Sequence, residues 1–212
     1  VVQYDRDMDD STRLTPERRS ALADATVTEF ARAGYEGASL NRIIRAAGMS
    51  KSSFYHFVGS KDELFDAVVR MLIDDVAALW TAPAPAEFAE FGARAFWRHV
   101  DELLEQFAAL SATPALQHLG RIFYLPGTAV SASGARAELL GTVRAWAEGM
   151  LRTGRAAGAV RDDLPLDLQA DIVFAALRAI DEWALADGAI TGERAAVAAS
   201  APGLVLRRLL AT

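Results

Sequence analysis

Lys51, Ser52, Ser53, Tyr55 and His56 crowd into one short stretch, Ser50-Lys51-Ser52-Ser53-Phe54-Tyr55-His56-Phe57. Wound as a helix, it turns Phe54 and Phe57 or Val58 to an inner face. Ser52, Ser53 and His56 fall on another face, and Lys51 lies one turn before Tyr55. A cation and short polar groups opposite a buried side suit a recognition helix in a major groove. Ser52 and Ser53 are small enough to approach a base edge or a phosphate without naming a base. The same pattern in isolation also describes an ordinary pair of surface helices, so the neighbouring elements must decide.

Those neighbours form a supporting frame. Ser39 is placed to cap a short helix on which Leu40, Ile43, Ile44 and Ala47 recur at helical spacing. Gly48 supplies the turn, because a residue without Cβ accepts a left-handed backbone. Ser50 then caps the recognition helix. Upstream, Thr15-Pro16-Glu17 is a strong helix start. That helix is predicted to run to about Ala33, with Leu22, Ala25, Thr26 and Phe30 inward, Gly34 at its end and Tyr35 packing back. Downstream, Ser60 and Glu63 stand at capping-box spacing. Leu64, Phe65, Val68, Val69, Leu72, Ile73 and Val76 carry a long helix to about Leu79. Lys61, at its start, is placed to touch phosphate.

The charge distribution agrees with this assignment. The chain carries a net charge of −6, which taken whole argues against a nucleic-acid binder. From Arg13 through Lys61, however, eight basic residues face four acids, 8 − 4 = +4, which leaves −6 − 4 = −10 for the remainder. A small basic head on an acidic body can point one surface toward DNA. There are no cysteines, which excludes disulfides and thiolate metal sites. No apolar run approaches the roughly eighteen residues of a membrane span, and Asp5, Asp7, Asp9 and Asp10 are unlike a signal peptide. A cytoplasmic location is expected.

The order and spacing of several pieces carry a resemblance: Phe30-Ala31-Arg32-Ala33-Gly34-Tyr35, Ile43 through Ser50, Phe54-Tyr55-His56-Phe57, and Ser60-Lys61-Asp62-Glu63-Leu64. This segment, about residues 15 to 70, resembles the TetR family of transcriptional regulators. The resemblance implies an all-α fold: a three-helix N-terminal helix-turn-helix head, a larger helical ligand-binding and dimerisation body, and a homodimer. It implies a repressor that leaves its double-stranded operator DNA when a small molecule binds. Activators and ligand-enhanced repressors share the fold and are the alternatives. Tyr55 and Lys61 match positions that touch the DNA backbone in the family. Lys51, Ser52 and Ser53 match the exposed start of the recognition helix, and His56 stands at a variable position facing or flanking DNA. Arg42 and Arg45 depart from acids common at those places. Arg42 joins the other six as an expected DNA contact.

The expected organisation is a flexible arm over 1–14, a DNA-binding domain over 15–60, a connecting helix over 61–80 and a body over 81–212. In the body, Pro83 and Pro85 make a stiff connector. Long helices are predicted from about Ala86 to Leu110, Ala135 to Ala156 and Asp167 to Asp187, with a last one ending near Leu210. A short, broken portion between Thr113 and Gly134 is a plausible trigger between body and head. Pro202 predicts a kink or break in the last helix. The last two helices resemble the family's dimer-forming pair. Phe123, Tyr124, Trp146, Met150 and Phe174 are the expected lining of a pocket for an apolar or aromatic effector. His118 either joins that pocket or satisfies a local bond.

No Gly-rich phosphate loop, HExxH motif or G-x-S-x-G elbow is present. The chain is therefore not expected to be an enzyme, and neither a cofactor nor a metal is expected. A helical enzyme or interaction protein without DNA binding is the alternative from another class.

Overall fold

The computed structural model describes residues 14–111, 113–123, 134–185 and 192–212; the side chains of Phe123, Leu185 and residues 192–195 are outside that description. The arm over 1–13, Tyr124 and the stretch to Ser133, and the turn around Gly188 therefore lie outside the described residues. Among the described residues the fold is all-α. The helices are α1 (Pro16–Gly37), α2 (Leu40–Ala46), α3 (Lys51–Phe57), α4 (Lys61–Leu79), α5 (Ala93–Leu110), α6 (Pro114–Phe123), α7 (Gly134–Ala156), α8 (Leu166–Leu185) and α9 (Gly192–Leu210). None of them is long and apolar enough to cross a membrane.

Two compact units emerge. The first takes the described residues of Val1–Asp74 and His118–Arg136; the second takes those of Asp75–Gln117 and Ala137–Thr212. Within the first, Leu22, Phe30, Ile43, Phe54, Leu64, Phe65 and Ile122 are buried. Phe30 stacks on Tyr35 with centroids 5.4 Å apart, and Phe65 meets both rings edge-on. Tyr35 is thus a core residue, as its place after Gly34 predicts. The backbone N–H of Ala135 donates to Asp66 Oδ1 at 2.8 Å, and His118 Nδ1 lies 3.4 Å from Asp24 Oδ1. Of its two expected places, His118 has a local partner on α1.

The second unit packs Phe88, Phe96, Trp97, Val100, Met150, Leu151, Val173, Leu206 and Leu210 into one core. The Trp97 indole N–H donates to Ala159 O at 2.9 Å. Arg207 pairs with Asp101 and donates to Trp97 O, holding α9 to α5.

One expectation about the body needs correction, and of another's two alternatives one is excluded. The predicted helix from Ala86 to Leu110 is divided. Pro85–Phe88 forms a 3₁₀ turn, and α5 begins only after Gly92. The Glu87 carboxylate accepts from Ala84 N–H at 2.6 Å and fixes this turn. Its fixed geometry sends Phe88 into the core, and Gly92, a poor helix former, takes the cap of the next helix. Pro202, in turn, does not break α9, which runs through it to Leu210. A proline interrupts one helical bond, whereas Leu206 and Leu210 beyond it are buried in the core, and packing rather than propensity supplies most helical stability.

Candidate nucleic-acid interface

The head is assembled by side chains that satisfy free backbone groups. Thr15, Ser39 and Ser50 accept from Arg18 N, Arg42 N and Ser53 N, at 3.4, 3.4 and 3.0 Å. Each of these three helix starts is therefore capped by the residue expected from the sequence. Gly34 ends the regular part of α1 with φ 68°, and Gly48 turns α2 into α3 with φ 64°. Both lie in the left-handed region that favours glycine. At the start of α4, Ser60 Oγ accepts from Glu63 N–H, while the Glu63 carboxylate reaches back to Gly59 N–H at 2.8 Å.

This frame orients α3. Phe54 is fully buried, and Val58, rather than the half-buried Phe57, is its second anchor. Lys51, Ser52, Tyr55 and His56 are exposed, and Ser53 is half-buried. Tyr55 is 52% exposed although its ring meets Phe54 edge-on. Five of the seven predicted DNA contacts are thus gathered on α3, around its buried anchor. Lys51 has no side-chain partner among the described residues.

Arg42 and Lys61 have partners inside the head. Glu29 is a buried carboxylate on α1. It accepts from Arg42 Nε at 2.8 Å, from Ser39 N–H at 2.9 Å and from Arg32. Arg42 also donates to Gly37 O at 3.1 Å. The Arg42 hydrogen bond, helped by Ser39 and Arg32 against the opposing effect of burial, lowers the Glu29 pKa from 4.5 to about 2. Lys61 Nζ donates to Tyr35 O at 2.9 Å and Glu36 O at 3.2 Å, over the Tyr35 ring. It thereby satisfies carbonyls at the C-terminal end of α1. Lys61→Ala is expected to destabilise the head by about 1–2 kcal/mol through these lost bonds. The check is a urea midpoint beside a duplex titration across salt. An unchanged midpoint with a salt slope lower by about one would instead make Lys61 a phosphate contact alone.

Sequence reasoning missed Arg18 and Glu29. An open cleft is lined by Arg18, Ser52, Ser53 and His56, together with Leu14, Thr15 and Phe57. No local pattern announces it, because it forms only where α1 meets α3. Glu29 entered only as one of the four acids in the charge count, for the same reason.

The predicted effector lining is less concentrated. Met150 is buried in the body core, and Trp146 packs against that core with its indole N–H donating to Pro83 O at 2.8 Å. Phe174 is half-buried on α8. The Phe123 side chain and Tyr124 lie outside the described residues.

Residues 22–68 match the profile of the bacterial regulatory proteins, tetR family. The chain is 35% identical over 79 residues to the HTH-type transcriptional regulator BetI of Rhizobium meliloti, covering 35% of this chain and 39% of that one. It is 30% identical over 80 residues to the HTH-type transcriptional regulator RutR of Escherichia coli K12, covering 38% and 36%. The match thus spans under two-fifths of these curated relatives. In fold, the chain is similar to native NalD, described as the secondary repressor of the MexAB-OprM multidrug efflux pump in Pseudomonas aeruginosa. The TM-score is 0.65 at 15% identity, over 93% of this chain and 98% of that one. The capped helix-turn-helix and the profile over it agree: residues 22–68 match the DNA-binding segment of the tetR family of bacterial regulatory proteins, and the chain shares the all-α fold of NalD.

Proposed function

We propose that this protein is a ligand-responsive, sequence-specific DNA-binding transcriptional regulator acting in the cytoplasm, a homodimeric repressor released from its operator by a small, largely apolar ligand. The observation that carries DNA binding is the exposed face of α3, with Lys51, Ser52, Tyr55 and His56 outside and Phe54 fully buried beneath. Such a helix can enter a major groove while its anchor stays in the head. In this reading residues 15–60 read DNA, 61–80 connect, and 81–212 bind the effector and the second protomer. Lys51 and Tyr55 meet the duplex directly, while Arg42 and Lys61 brace the face from within.

Two observations support the remainder. Leu168, Trp183, Val197, Leu204 and Leu209 are exposed apolar residues on α8 and α9, the surface expected to pair across a two-fold axis. Two recognition helices about 34–36 Å apart would then fit successive major grooves. NalD, similar in fold, is described as a repressor. An effector that binds the released form ten-fold more tightly would lower operator affinity ten-fold, about 1.4 kcal/mol of coupling.

The experiment is selection of duplexes from a random library, followed by titration of the selected duplex across salt, with and without candidate apolar ligands. Specific binding that weakens as salt rises is expected. A chain that selects no duplex would refute the proposal. A pocket ligand that leaves affinity unchanged, or raises it, would refute release by that ligand.

A further inference from the structure

We propose that the cleft between α1 and α3 holds a phosphate oxyanion, and that Arg18 is the cation that binds it. The proposal rests on the DNA-binding reading above for its natural source, a backbone phosphate of the bound duplex.

The cleft joins one helix outside the helix-turn-helix to the recognition helix itself. Its polar lining consists of Thr15, Arg18, Ser52, Ser53 and His56. Three of these are hydroxyls, and one is a guanidinium with no side-chain partner among the described residues. Arg18 is exposed, so its charge is already solvated and costs little to present. Arg42 contrasts with it. That guanidinium is turned onto Glu29 and Gly37. The head therefore holds Arg42, like Arg32, on Glu29 and leaves Arg18 facing an open cleft. A planar fork of N–H donors suits phosphate oxygens, and neighbouring hydroxyls complete their coordination. The His56 ring stands edge-on to Phe57, centroids 5.0 Å apart, which holds it at the rim.

The chemistry implies a division of labour. Lys51 and Tyr55 lie on the exposed face of α3, while a phosphate in the cleft would fix how deeply that helix enters the groove. Phosphate contacts position and base contacts specify, so Arg18 should add affinity without adding sequence preference.

The test uses the full chain and its Arg18→Gln, Arg18→Lys and Arg42→Gln variants. Each is titrated with a 30-base-pair duplex (selected by the wild type) and with its scrambled counterpart, across salt. In parallel, NMR follows the His56 ring during addition of inorganic phosphate. Circular dichroism melts establish that the variants are folded. For Arg18→Gln we expect affinity to fall roughly threefold to tenfold on both duplexes, with the salt slope reduced by about one per bound head. Arg18→Lys should restore the slope, and Arg42→Gln should leave it unchanged. A folded Arg18→Gln chain with the wild-type slope would overturn the proposal. If the wild type binds no duplex but phosphate saturably shifts His56, and Arg18→Gln abolishes the shift, the cleft stands as a free-phosphate site and the DNA reading fails. If neither duplex nor phosphate binds, both fail.

Discussion

Replacing Phe54 with alanine is expected to abolish duplex binding and to destabilise the head by about 3–5 kcal/mol. Phe54 is fully buried. It projects from α3, a helix only seven residues long, too short to persist by propensity alone. Beyond Phe54 only Val58 is deeply buried at this end of the motif. Truncation leaves a void that the capped turn cannot close, so Lys51 and Tyr55 lose their common orientation. All four tryptophans lie from Trp80 onward, outside the helix-turn-helix. Tryptophan emission thus follows the body, while far-UV circular dichroism follows both parts. An early dichroism transition before the emission transition is the expected signature. Tyr55→Phe, on the exposed face, should leave both transitions within about 0.5 kcal/mol while weakening duplex binding. A Phe54→Ala chain with the wild-type transitions would show that α3 is held by something else.

The head was largely legible in the sequence because its determinants are local. Thr15, Ser39, Ser50 and Ser60 cap helices within three or four residues of themselves. Gly34 and Gly48 mark left-handed turns by their own chemistry. The inner and outer faces of α3 follow from helical period, which placed Phe54 inside and Tyr55 outside. What was not legible depends on pairs far apart in the chain. Arg42 and Glu29 are thirteen residues apart, and Lys61 and Tyr35 twenty-six. A charge count treats Arg42, Glu29 and Lys61 as independent and passes over the Tyr35 carbonyl altogether. The same blindness applied to Ala86–Leu110, whose apolar spacing fits one helix. The carboxylate of Glu87 and the burial of Phe88 instead select a turn. At Pro202 the helix continues without a break, because a local penalty is outweighed by burial of Leu206 and Leu210.

Acidification should loosen the head through Glu29. Its pKa is about 2 in the folded chain against an ordinary 4.5. A carboxylate depressed on folding contributes stability that is fully present above about pH 4.5. That stability is lost as pH falls through the folded value near 2, because the unfolded chain binds the proton first. The contribution is about 1–2 kcal/mol once discounted for solvent around Arg32 and Arg42, whose side chains are 58% and 50% exposed. Glu29→Gln should lower stability at pH 7 by that amount and flatten the profile between pH 4.5 and pH 2. Glu29→Ala should cost more, about 2–4 kcal/mol, because Ser39 N–H and two guanidiniums lose their acceptor. Urea midpoints at pH 7, 4.5 and 3 decide the matter; parallel wild-type and Glu29→Gln profiles would remove Glu29 as the titrating group. Arg42 makes its contacts within the head, so breaking this clip should weaken duplex binding through the position of α2 relative to α1. The salt slope should stay at the wild-type value, separating a brace from a phosphate contact in a single titration.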